Sequence, residues 1–219
     1  LTNEEWAKVD GAVVAAARSF LTGRRLLSLL GPLGPGTYDV PFAVYNAKSV
    51  ASIDMNGESE APVIEANMRK TVPLPLLYAD FKISWRDIET DHKIGLPVDV
   101  SAAAMAANSV AVQEDTLIFN GSKELGIEGL FTATGRNVVK IGNWDKAGTG
   151  LADVVKAVSA LSSLGHYGPY AVVLSPSQYG KMIRAYGDTG LLEIDQISAL
   201  ASAGVFYSNV ITGDKAVVV

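Results

Sequence analysis

The chain has 219 residues, 48% of them hydrophobic, enough to bury a sizeable core, although length alone does not separate one domain from two. Lys and Arg total 18 against 23 Asp and Glu, a net charge of −5, so there is no basic surplus of the kind that marks nucleic-acid or membrane binding. The absence of cysteine excludes disulfides, thiolate metal sites and cysteine nucleophiles, and no apolar run approaches the ~18 residues of a membrane span.

Thr2 with Glu5 three residues on predicts a capping box at a helix start. Trp6, Val9, Val13, Ala16 and Phe20 then recur at helical spacing as one apolar stripe, which suits either core or a partner groove. Gly23 and the Gly/Pro-rich segment Gly31–Gly36 punctuate the chain after this stripe. From Tyr38 to Ile83 the pattern turns to short β-type runs around Asn56-Gly57, a dipeptide that predicts a two-residue hairpin turn. A hairpin with so little core of its own is marginal in water, so it is expected to lie on something else. After Pro97, the Ala-rich run Ser101–Phe119 predicts a long helix stopped by Gly121. Helices are expected at Gly150–Leu164, Ser177–Tyr186 and Leu192–Ala201. Strands are expected at Tyr170–Leu174, Val205–Ile211 and Ala216–Val219, an α+β or α/β layer. The chain starts at Leu1 and stops inside a strand-like run, so it is expected to continue past both ends, and a targeting signal before Leu1 stays open.

Chemistry is sparse. Glu89-x-x-His92 has the spacing that puts two di-iron ligands on one helical face, but such a site needs a second copy and two further glutamates. A solvated polar cluster is the better reading, and His166 between Gly165 and Gly168 reads as a turn residue. The glycines of Gly31–Gly36 lack the Lys-Ser/Thr of a phosphate cradle. Glu114-Asp115 point in different directions on a helix, which favours capping and salt bridging over a catalytic carboxylate pair. No catalytic residue and no metal site emerges.

Longer strings carry more information. GRRLLSLLGPLGPG at Gly23–Gly36, PLPLLYADFKISWRDIE at Pro73–Glu89, LPVDVSAAA at Leu96–Ala104 and QEDTLIFNGSKELGIEGL at Gln113–Leu130 run in a fixed order. IGNW at Ile141–Trp144, HYGPYAVVLSPSQY at His166–Tyr179 and LEIDQISALASAGVFYSNVI at Leu192–Ile211 come after them. Together they resemble the encapsulin family, also known as the linocin-type bacteriocin family, over nearly the whole chain. The IGNW loop and the GRR…GPLGPG segment are most similar to members that carry ferritin-like cargo.

The resemblance implies an α+β fold of the tailed-bacteriophage major capsid type. Residues 1–36 would hold the N-terminal helix and the start of the peripheral domain, and 37–80 an extended hairpin loop that clamps a neighbouring subunit. Residues 81–135 would form the peripheral domain with its spine helix, and 136–219 the axial domain, with further peripheral strands beyond. It implies a self-assembling icosahedral shell, cytoplasmic, not an enzyme, with no cofactor of its own. Its partners would be copies of itself and a cargo enzyme, ferritin-like or a peroxidase, docked through a terminal targeting peptide, with no nucleic acid and no membrane. Cargo-binding candidates are Trp6, Val9, Val13, Phe20 and Arg24; the loop tip is Met55, Asn56, Gly57 and Glu58. The pore loop would be Tyr186, Gly187, Asp188, Thr189 and Gly190, with Asp188 repeated around an axis as a cation-favouring ring. Some members bind flavin through a tryptophan; Arg86 stands in its place here, beside Trp85, so flavin is not carried over. A viral capsid protein of the same fold and a small α/β enzyme are the alternative readings.

Overall fold

A computed structural model describes residues 1–45, 51, 53–57, 60, 63–187 and 190–219. The chain forms two compact units: Leu1–Leu29, Leu77–Ser122 and Glu128–Val219 make the first, and Leu30–Leu76 with Lys123–Ile127 the second.

In the first unit, helix α1 (Asn3–Phe20) opens on the expected capping box: Thr2 Oγ1 accepts the Glu5 N–H and the Glu5 carboxylate accepts the Thr2 N–H. A single turn, α2 (Gly23–Leu26), comes next. Helix α3 (Trp85–Ile94) lies where the sequence pattern signals none, since its residues are mostly charged and show no apolar stripe. Local signals form it nonetheless. Ser84 Oγ accepts the Arg86 N–H at 3.2 Å, and Gly95, at φ +71°, supplies the left-handed stop.

Helix α4 (Ser101–Asn120) is the long Ala-rich element, started by Asp99, whose carboxylate accepts the Ser101 N–H at 2.8 Å. Its buried residues are Ala103, Ala107, Ala111, Asp115 and Phe119, every fourth position. Three alanines in that row let α1 approach closely, and Val9 fills the seam. The far end of α4 is closed by backbone: Leu130 and Phe131 N–H donate to Ile118 and Phe119 carbonyls, each at 2.9 Å. Gly129 makes this possible, because a Cβ there would lie 2.3 Å from the Gly121 nitrogen.

Beyond it lie α5 (Thr149–Ser163), β3 (Ala171–Leu174), α6 (Pro176–Met182), α7 (Glu193–Leu200), β4 (Gly204–Tyr207) and β5 (Ala216–Val218). The fully buried β3 pairs in parallel with β4 and antiparallel with β5. Strand alternation separates two cores: Val172 and Leu174 join Trp144, Val154, Met182 and Ile197, while Val173 faces Phe119 and Ile211. Helix α6 ends at Met182, four residues before its expected end. Arg184 leaves the helix to reach Glu193 at 3.1 Å and the carbonyls of Asp145 and Lys146 at 2.9 and 2.8 Å.

In the second unit, β1 (Asp39–Tyr45) pairs antiparallel with β2 (Ala66–Pro73). The described pairing ends at Tyr45 and Ala66, so Asn56-Gly57 is not a two-residue turn joining the two strands. Only Gly57 has a positive φ, +69°, and a type I′ turn needs both residues there.

The IGNW segment is held by Asp153. Burial pushes this carboxyl up, but the Gly142 N–H (2.6 Å), the Trp144 indole N–H (2.9 Å) and Lys156 (3.1 Å) outweigh it and keep it below the usual carboxylate range. A folded-state value below the unfolded one stabilises fully above the unfolded pKa and is lost as pH falls through the folded one. Trp144→Phe removes a buried donor and should lower stability by about 1–3 kcal/mol at neutral pH, with a smaller deficit below about pH 4. Urea unfolding at the two pH values, followed by circular dichroism, measures both.

Candidate functional site

The turn between α1 and α2 is built on one buried carboxylate. Asp115 Oδ2 accepts the Thr22 N–H at 2.9 Å and Oδ1 accepts the Gly23 N–H at 3.0 Å. Ser208 Oγ adds a third, longer bond at 3.4 Å, and Thr22 Oγ1 donates to the Tyr207 carbonyl at 3.2 Å. The side chain of α4 therefore satisfies amides at the start of α2 and draws the end of β4 to the same point. Glu114, next along α4, takes Arg24 in a two-pronged ion pair, with Nη2 to Oε2 at 2.8 Å. The adjacent carboxylates thus do capping and salt bridging, as expected from their divergent directions. Gly23 packs tightly against α4: a Cβ would stand 2.6 Å from Ile118 Cδ1 and 3.2 Å from Asp115 Oδ1, so a larger residue there needs Ile118 to shift.

This junction sets the surface on which the α1 candidates lie. Val9 is 2% exposed and belongs to the seam with α4; Val13 is half-buried; Trp6 and Phe20 are 48% and 38% exposed. The stripe therefore straddles the edge of the helix contact, with its two aromatic ends in solvent. Arg24, in α2, is half-exposed and paired with Glu114. Phe20 borders a groove of about 410 Å³ whose wall includes Val112, Tyr179, Phe206, Tyr207 and Val210, with Arg25 also lining it. The Tyr179 and Tyr207 rings pack at 4.9 Å.

The other candidates lie elsewhere in the sequence. In the second unit, Met55 is fully exposed and the Asn56 N–H donates to Asp54 Oδ1 at 3.0 Å, while Glu58 lies outside the described residues. In the first unit, the Tyr186 N–H donates to the Leu191 carbonyl at 2.8 Å, and Gly187 and Gly190 take φ of +57° and +72°. Asp188 and Thr189 lie outside the described residues. Glu89 and His92 do not converge on a metal site: Glu89 pairs with Lys93 at 3.5 Å and His92 with Glu5 at 2.8 Å. Among the described residues no group of three His, Asp or Glu could hold a metal ion, and no helix is long and apolar enough to cross a membrane.

Residues 1–219 match the family model described as encapsulating protein for peroxidase. The chain is 46% identical over its full length to the type 1 encapsulin shell protein EncA of Myxococcus xanthus, covering 76% of that protein. It is 43% identical to a diheme-cytochrome–encapsulin shell fusion protein of Kuenenia stuttgartiensis, covering 60% of it. A virus-like particle from Pyrococcus furiosus superposes over 97% of this chain and 77% of its own, with a TM-score of 0.75 at 17% identity, a shared fold.

The contact between Gly23 and α4 is testable by itself. Gly23→Ala should cost about 1–3 kcal/mol through overpacking, and Ile118→Val, which removes the obstructing methyl, should recover part of that loss in the double variant. Chemical unfolding of the four proteins gives the coupling; simple additivity would mean that the two residues do not compete for the same space.

Proposed function

The chain belongs to the encapsulin family of shell proteins and is a structural subunit of a nanocompartment wall; on that premise we propose how it grips its neighbours and its cargo. The carrying observation is the second unit. Along the eight residues of β2 only Val72 is even half-buried, and Tyr38 and Leu76 stand 86% and 83% exposed. A two-stranded ribbon with no fully buried residue is marginal alone, so in this reading an adjacent subunit covers it in the closed shell. Met55, Asn56 and Gly57 would lie at its tip in this reading.

Cargo docks on the face that the Asp115 junction holds in place. An extended peptide at the terminus of a cargo enzyme lays apolar side chains along Trp6, Val13 and Phe20, with Arg24 at the edge and Val9 supporting the helix from beneath. The cargo is a redox protein, ferritin-like or a peroxidase, and the filled shell sits in the cytoplasm. The names of its relatives support a redox cargo class: one family description specifies peroxidase, and one relative is fused to a diheme cytochrome. In this reading the chain performs no reaction; its work is enclosure, and it needs no cofactor.

Two variants separate these roles. Deleting residues 53–57 should leave the circular dichroism of the subunit nearly unchanged while preventing shell closure, as read by electron microscopy; loss of the folded signal would contradict the inter-subunit role. Phe20→Ala should remove one apolar anchor, about 2 kcal/mol or roughly 30-fold in peptide affinity, with shells intact. Cargo copies per shell, counted by native mass spectrometry, should drop accordingly. Unchanged loading would exclude Phe20 from the docking face.

A further inference from the structure

The dipeptide Asn-Gly occurs twice, at Asn56-Gly57 and at Asn120-Gly121, and the two copies stand in opposite surroundings. Both carry the same latent reaction. The glycine backbone nitrogen can attack the asparagine side-chain carbonyl carbon, because glycine has no Cβ to block the approach. A C–N bond forms, the bond to Nδ2 breaks, ammonia leaves, and a cyclic imide remains. Water then opens the imide at either carbonyl. One opening gives aspartate; the other gives isoaspartate, in which the main chain runs through the side-chain carbon. The reaction requires only solvent water and a glycine nitrogen able to turn onto the side chain.

At Asn56-Gly57 the fold does nothing to prevent this. Both residues are exposed, and Ile53 and Met55 before them are fully so. A Cβ on Gly57 would meet nothing within 4 Å. Asn56 donates its backbone N–H to Asp54 Oδ1 at 3.0 Å, which leaves its side chain and the Gly57 nitrogen unengaged among the described residues. Asn120-Gly121 is the reverse. Asn120 is the last residue of α4, in helical backbone that directs the next nitrogen along the axis. The Gly121 N–H donates to the Leu117 carbonyl at 3.0 Å, and Asn120 Nδ2 donates to the Val210 carbonyl at 3.3 Å. Gly129 packs so closely that a Cβ there would lie 2.3 Å from the Gly121 nitrogen.

We propose that Asn56-Gly57 is a site of spontaneous covalent modification, converting to isoaspartate and aspartate, while the fold holds the identical dipeptide at Asn120-Gly121 unreactive. Each conversion replaces a neutral amide by a carboxylate in a segment that already carries Asp54, Glu58 and Glu60. The reaction belongs to the segment as the subunit itself presents it. A neighbouring copy laid over it would slow the reaction, so chains outside a closed shell are modified first.

The test uses the whole chain, released from shells and shown by circular dichroism to be folded, kept in mildly alkaline buffer. Peptide mass spectrometry, with chromatographic separation of aspartate from isoaspartate, follows both dipeptides. Asn56 should convert to both products. Asn120 should convert roughly 30-fold more slowly, because two hydrogen bonds of ordinary net strength must open first. In concentrated urea, where the fold is gone, the two rates should come together. Gly57→Ala, which puts a methyl group beside the attacking nitrogen, should slow conversion at Asn56 and leave Asn120 unchanged. An Asn56 that stays an amide in the folded subunit, aspartate as the sole product, or equal rates at the two dipeptides overturns the proposal. So does an Asn120 that stays slow in urea, since its protection would then owe nothing to the fold.

Discussion

The bond that organises the first unit runs from Asp115 to the backbone of Thr22 and Gly23, across more than ninety residues of sequence. A carboxyl group that is 2% exposed is costly to bury unless donors surround it, and here two amides and a hydroxyl do so. Because those amides begin α2, the exchange settles two problems at once: the turn after α1 gains an acceptor and α4 gains a tolerated charge. Ser208 and the Tyr207 carbonyl bring the end of β4 to the same place, so three remote segments share one anchor. The groove beside Phe20 lies against this anchor, with Thr22, Asp115 and Ser208 in its lining.

The same economy appears around α5. Asp153 gathers the Gly142 amide, the Trp144 indole and Lys156, and Glu193 gathers the Leu151 amide and Arg184. In each case a buried carboxylate fixes irregular chain to a helix start. Gly150 leaves room for this: a Cβ would meet Met182 Sδ at 2.5 Å and Glu193 Oε1 at 3.3 Å. Irregular backbone pinned in this way keeps its shape without a strand or helix of its own. The second unit is the opposite case, a ribbon with no fully buried residue and with Phe42, Tyr45 and Met68 exposed. In the proposed reading an adjacent copy of the chain covers that ribbon.

Much of this is legible in the sequence where the signal is local. Thr2 and Glu5 announce α1, Gly121 ends α4, and the alternating core of β3 comes from a short apolar run between turn residues. Features that depend on distance are hidden. Helix α3 has its cap and its glycine stop, yet its charged interior masks it, because its partners, Glu5 and Lys8, lie some eighty residues earlier. Helix α6 reads too long, since nothing local shows that Arg184 is needed by Glu193. Asn56-Gly57 promises a tight turn that the described strand register does not contain. For the site, spacing finds the α1 stripe but does not tell that Val9 is core while Trp6 and Phe20 are surface. Asp115 is visible as the fourth member of an every-fourth-residue row of alanines, although its role requires knowing that Gly23 lies against it.

A wall element differs from a self-sufficient globule in one property above all, its size in solution. Sedimentation velocity of the purified protein measures this most directly. A single megadalton-scale boundary, with hollow particles in the same fractions by electron microscopy, is the predicted result. A stable, well-folded species sedimenting near the 23.0 kDa of the chain at working concentration would contradict it.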